Sequence, residues 1–139
     1  MAIEQSLQYI SELHTQMARC DQHIALHVKS HPAALSLTEM TGIGTLTASA
    51  TSAMVVDAKH YKNGRQFAAW LGLVPRQMSS GGKTKLGRTT RRGDTYLRSL
   101  LVQGAKSTLQ AAMRQAPDQA SRLQQWIISL YQRVGYHKT

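Results

Sequence analysis

The stretch that decides the fold is LTEMTGIGTLTASA, Leu37 to Ala50. Leu37 and Met40, three apart, precede Gly42-Ile43-Gly44, and Ala48 follows four residues after the second glycine. Two glycines one residue apart permit a tight turn and close backbone approach. Ile43 between them is placed to plug the gap between two helices. This is the spacing of a helix–hairpin–helix, in which the amides after Gly44 open a helix N-terminus towards solvent and offer a site to a backbone phosphate. Thr45 and Thr47 would add hydroxyl contacts. Gly42, Gly44, Thr45 and Thr47 are therefore candidate nucleic-acid contacts of the kind that hold a duplex without reading its sequence. The plainer reading of the same residues is an ordinary αα-hairpin with a glycine turn.

Outward from this turn the chain reads as helical. Towards the N-terminus, Ile3, Ile10, Met17 and Ile24 recur every seven residues, Leu7 and Val28 occupy the partner position, and Leu13 and Cys20 widen the stripe. One long helix is expected from about Ile3 to His31, stopped by Pro32. His14 and Asp21 interrupt its seam. Such a stripe cannot bury itself, so the helix is expected to pair with another segment or subunit. Towards the C-terminus, RQFAAWLGL reads as a short helix ending at Gly72, and DAKHYKNG before it as a loop. Asp94 is a good N-cap for TYLRSLLVQGAKSTLQAAMRQA, with Leu97, Leu100, Leu101, Ala105, Leu109 and Ala112 on its apolar face. Pro117 is expected to separate it from a last helix. Strand signals are weak throughout.

Composition agrees. Hydrophobic residues make up 42% of 139 residues, enough for a packed core, and a single Phe stands among Ala, Leu, Ile and Met. The expected fold class is mostly α, with residues 1–31 as a coiled-coil-like linking or oligomerising helix and 32–139 as a compact helical domain. The net charge is +10, from 17 Lys and Arg against 7 Asp and Glu. Ten of those basic residues fall between Lys59 and Arg98, with Asp94 the one acid among them. Charge so concentrated points to a polyanionic partner, nucleic acid before others. The one cysteine, Cys20, excludes an internal disulfide and suits the cytoplasm. No apolar run approaches a membrane span and the first ten residues do not form a signal peptide. His23, His27 and His31 share a helix face with Cys20, but no acid or second cysteine joins them. They read as a solvated polar face, and no metal site is assigned.

The chemistry-bearing stretch is GLVPRQMSSGGKTKLGRTTRRGDTYLR, Gly72 to Arg98. Its glycines, serines and cations cannot build a core. It reads as a long basic loop able to follow a phosphate chain, with Arg76, Lys83, Lys85, Arg88, Arg91, Arg92 and Arg98 as the contacts. A sharper possibility makes Ser79 or Ser80 a nucleophile. A serine attacking a phosphodiester needs a base and cations at the developing oxyanions. The loop supplies cations, but beyond Asp94 it holds no candidate base. Residue chemistry alone leaves three readings open: a flexible loop, a nucleic-acid grip and a catalytic serine.

From Leu35 to about Ala112 the order of blocks is distinctive: the glycine hairpin, then apolar-Gly-Leu-x-Pro, Ser-Gly, Gly-Arg, Arg-Arg-Gly-Asp and Leu-Arg. It resembles the C-terminal domain of insertion-sequence transposases of the IS-one-ten and IS-eleven-eleven type. The Thr-Thr-Arg after Gly87-Arg88 departs from the Ile-Ser-Lys more usual there, keeping its basic and polar character. The resemblance implies a DNA recombinase in which this domain supplies a serine that joins covalently to DNA. A separate RuvC-like domain holds Mg²⁺ on four acidic residues, a long helix mediates multimer assembly, and an element-encoded bridge RNA guides the enzyme. By position the serine falls on Ser80, with Ser79 as the fallback. No acidic tetrad precedes Ile3, and the chain stops at GYHKT where the family would continue. It thus reads as a part of such an enzyme, expected to bind nucleic acid without cleaving or joining it. The rival reading is a non-catalytic helix–hairpin–helix module.

Overall fold

A computed structural model of the chain describes residues 1–115 and 119–135. Helices dominate it: α1 (Ala2–Ser30), α2 (Pro32–Thr38), α3 (Thr45–Met54), α4 (Gly64–Trp70), α5 (Thr95–Arg114) and α6 (Arg122–Val134), with a single 3₁₀ turn at Ala58–His60. The mostly α fold class and the long first helix are as expected. Pro117 lies outside the described residues. The chain divides into two compact units, Met1–His60 and Tyr61–Thr139.

In the first unit, His31 leaves the helical region at φ −115° and Pro32 starts α2. The ring at the first helical position is tolerated because that amide has no intrahelical acceptor. Val28 of α1, Ala34 of α2 and Ala48 of α3 are buried together, with Leu37 and Ile43 packed against them. Two of the three buried residues are alanines, so the helix backbones approach closely. These contacts tie α1 to α2 and α3 within the first unit, which ends at His60. Ile43 occupies the plugging position its spacing predicts.

In the second unit, Asp94 caps α5 by accepting a hydrogen bond from the Leu97 amide at 2.6 Å. Ser121 and Gln124 form a reciprocal capping box at the start of α6. Leu71, Leu97, Leu109, Ala112 and Ala120 are buried. Leu100 and Leu101 are half-buried on the expected apolar face of α5, but Ala105 is exposed and does not belong to it.

The Gly72–Arg98 stretch corrects the sequence reading. Most of it is a β-hairpin and not a loop: β1 (Pro75–Ser80) pairs antiparallel with β2 (Lys83–Thr89). Gly81 and Gly82 make the two-residue turn at φ 58° and 77°, and two successive left-handed residues match the right-handed twist of the strands they join. The strand signal was weak because every residue of both strands is exposed. With no buried face there is no alternation of apolar and polar residues to read.

Candidate functional site

An exposed two-stranded ribbon is marginal on its own, so its mount decides whether it is held in place. The Thr90 amide donates to Val74 O at 2.9 Å and the Arg91 amide to Gly72 O at 3.1 Å, extending the pairing below the strands. There the two arms cross without side-chain space between them. A Cβ on Gly93 would stand 2.2 Å from Trp70 O and 2.3 Å from the Leu71 carbonyl carbon. Gly72, at φ 71°, would place one 2.7 Å from the amides of Arg92 and Gly93. Arg98 closes the crossing: its Nη1 donates to Leu71 O and to Gly93 O, both at 3.3 Å. Its Nη2 reaches Thr95 Oγ1 at 3.4 Å. Arg98 was expected among the nucleic-acid contacts; the structure uses its guanidinium inside the protein, on carbonyls that the α4 terminus and the crossing leave open.

The register sorts the hairpin side chains into two faces. Met78 pairs with Lys85 and Ser80 with Lys83, so these four share one face. The other face holds Gln77 with Leu86 and Ser79 with Thr84. Between the Pro75–Thr89 and Gln77–Leu86 pairs the register shifts, with Gly87 and Arg88 opposite Arg76. Such a bulge turns both residues towards the face of the one they oppose. Arg76, Arg88, Lys85 and Lys83 therefore line one face in order towards the tip, and Ser80 sits among them. Ser79 sits on the neutral face, where its hydroxyl accepts from Gln77 Nε2 at 3.0 Å. The Ser80 hydroxyl makes no hydrogen bond within the described residues.

The cations of this face are uncompensated. Among the described residues the one ion pair joins the N-terminal amine to Glu4. Arg76 Nη2 makes a long 3.5 Å contact to Thr90 O, leaving its other donors outward. Arg92 is exposed beside the crossing, and Arg91 is exposed with a left-handed backbone at φ 54°. Asp94, the one acid near, is committed to its cap. Among the described residues no three His, Cys, Asp and Glu side chains come together. His27 instead bonds Ser49 Oγ through Nδ1 at 3.1 Å and stacks on His31 with ring centres 4.2 Å apart.

The glycine turn of the first unit has Gly42 at φ 89° and Gly44 as the N-cap of α3, with no side chain to occupy the first-turn amides. Thr45 is exposed there. Thr47 is 6% exposed beside the buried Ala48, which removes its hydroxyl from a nucleic acid's reach. No described helix is long and apolar enough to cross a membrane.

Residues 34–123 match the Transposase_20 family, described as the transposase IS116/IS110/IS902 family. The chain belongs to that family. A probable family 20 transposase of Pseudomonas aeruginosa is 43% identical over 124 residues, covering 89% of this chain and 36% of the relative. The transposase for insertion sequence element IS1328 of Yersinia enterocolitica is 38% identical over 86% of this chain and 35% of its own length. The transposase for insertion sequence element IS1111A of Coxiella burnetii is 37% identical over 70% of this chain. The chain thus spans between about a quarter and just over a third of the length of these relatives. No solved structure matches it significantly. The matched region contains the glycine turn, the hairpin, its crossing and the start of α6.

Proposed function

We propose that this transposase domain binds DNA through the cationic face of its hairpin, and that in the complete enzyme Ser80 on that face attacks the scissile phosphodiester. The observation that carries the proposal is the register, which sets Ser80 opposite Lys83 and diagonal to Lys85. A two-stranded ribbon is narrow enough to enter a DNA groove, and its row of cations faces phosphates while the neutral face does not. In the reaction the Ser80 Oγ–phosphorus bond forms as a phosphorus–deoxyribose oxygen bond breaks. The serine proton passes to a base outside the hairpin and the leaving oxygen takes up a proton. Lys83 and Lys85 stabilise the charge on the non-bridging oxygens. A guide RNA presents the same phosphates to the same face. The uncapped start of α3, with the Thr45 hydroxyl, offers a second phosphate contact, which is also what a non-catalytic binding module would use.

Binding by the chain itself tests the first step. Affinity for a duplex should fall steeply with salt and vary little with sequence. Replacing Lys83 and Lys85 by Ala should lower the slope of log affinity against log salt by about 2, roughly one per lost phosphate contact. Replacing Gln77 and Thr84 on the neutral face should leave it unchanged. An unchanged slope in the lysine variant contradicts the assignment of the face.

The long helix supplies the assembly element. Ile3, Leu7, Ile10 and Met17 of α1 are between 48% and 78% exposed, an apolar stripe long enough to pair with a second copy. Sedimentation should show a dimer or larger assembly that Ile10→Asp shifts to monomer. A wild-type chain that stays monomeric at high concentration contradicts this role.

A further inference from the structure

The crossing that mounts the hairpin also opens a cleft of about 400 Å³ against α5. Leu73 from the hairpin arm and Val102 from α5 line it and remain 37% and 41% exposed. Thr89, Arg91, Ser99 and Gln103 add polar groups, and so does Arg98, whose guanidinium is engaged by the Leu71 and Gly93 carbonyls. Ser99 donates its hydroxyl proton to Thr95 O at 2.7 Å, so its oxygen faces the cleft as an acceptor. Gln103 brings one acceptor and two donors.

Arg91 is the unusual member. Five glycines among the described residues stand at positive φ, and Arg91 is the one non-glycine that does, at 54°. A glycine there would relieve the strain, so the position keeps a guanidinium at an energetic cost. Strain of this kind persists where the surroundings over-determine the backbone, as the Arg91–Gly72 hydrogen bond and the Gly93 crossing do here. Among the described residues no carboxylate pairs with Arg91, and no hydrogen bond ties down its side chain.

We infer that this cleft holds one unpaired nucleotide, its base lying against Leu73 and Val102, its edge met by Gln103 and Ser99, and its phosphate by Arg91. The volume suits a single nucleotide and not a helix. The apolar lining suits the flat face of a base, and the free cation at the lip suits the phosphate attached to it. The inference rests on the nucleic-acid reading above for the source of the nucleotide. The cleft would take a base that has left its stack, while the hairpin holds the backbone.

The test uses the whole chain, fluorescence anisotropy and three DNA duplexes: fully paired, with one bulged adenosine, and with an abasic bulge. The bulged adenosine should be bound roughly ten-fold more tightly than the other two, the worth of stacking one base on protein. Val102→Trp, which fills the cleft from the surface of α5, should abolish that preference and leave paired-duplex affinity unchanged. Arg91→Gly should raise the melting temperature while reducing the preference. Free dAMP should compete for the bulged duplex alone if a detached nucleotide suffices; if it does not compete, the ligand is the nucleotide within a strand. Equal binding of all three duplexes, or a preference surviving in Val102→Trp, overturns the inference and leaves the hairpin reading intact. Binding of no duplex overturns both.

Discussion

Gly93→Ala should destabilise the second unit by about 3 kcal/mol or more, the upper end of the usual cost of overpacking. That corresponds to a fall of roughly 15 °C in melting temperature for a domain of this size. The added methyl would meet Trp70 O, the Leu71 carbonyl carbon at 2.3 Å and Leu71 O at 2.5 Å. All three are backbone atoms at the end of α4, and no side chain can swing away to make room. Relief requires the two arms to part, which costs the Arg98 bonds to Leu71 O and Gly93 O and the Arg91–Gly72 bond with them. Gly64→Ala is the matched control. It stands at the first residue of α4 with nothing within 4 Å of a new methyl, so it should be neutral or stabilising by up to about 1 kcal/mol. Thermal unfolding followed by circular dichroism separates the two. Equal melting temperatures would mean that the arms do not cross as closely as described.

The consequence reaches the site. The hairpin buries none of its own residues, so its position is set at its root. Loosening the crossing should therefore weaken nucleic-acid binding even though Gly93 touches no ligand. Arg98→Lys should do the same to a lesser degree. A lysine ammonium keeps the charge but lacks the forked donors that bridge two carbonyls.

Much of the scaffold was legible in the sequence for local reasons. Pro32 ends one helix and starts the next, Asp94 caps α5, and Gly42-Ile43-Gly44 marks a turn with Ile43 packed inward. Each depends on one or two residues and their neighbours. The hairpin was not legible, since both its faces meet water. Only Gly81-Gly82, between PRQMSS and the Thr- and Lys-bearing KTKLGRT, signalled it. The clamping role of Arg98 was not legible because a cation among cations looks like a ligand contact until its carbonyl partners, 27 and 5 residues away, are brought beside it. The inward turn of Thr47 was not legible because its hydroxyl lies near the glycine turn in sequence while its helix face is buried with Ala48. The separation of Ser79 from Ser80 also needed the register: adjacent in the chain, they stand on opposite faces of the ribbon.

Ser80→Ala should have the larger effect on function, eliminating covalent chemistry while leaving binding nearly unchanged. Removing a nucleophile takes away the bond itself and no surrounding donor replaces it. The Ser80 hydroxyl makes no hydrogen bond within the described residues and lies exposed beside the turn, so its loss should not disturb the fold. Ser79→Ala removes a hydroxyl held by Gln77 on the neutral face and should leave the chemistry within a few-fold of wild type.

The most direct measurement is therefore the trapping of a protein–DNA adduct. It requires a full-length transposase carrying this domain, a nicked suicide substrate and added Mg²⁺, with the adducted peptide identified by mass spectrometry. An adduct on the peptide containing Ser80, present in wild type and Ser79→Ala and absent in Ser80→Ala, is the predicted result. An adduct that survives in Ser80→Ala and disappears in Ser79→Ala would contradict the assignment of the cationic face as the reacting one.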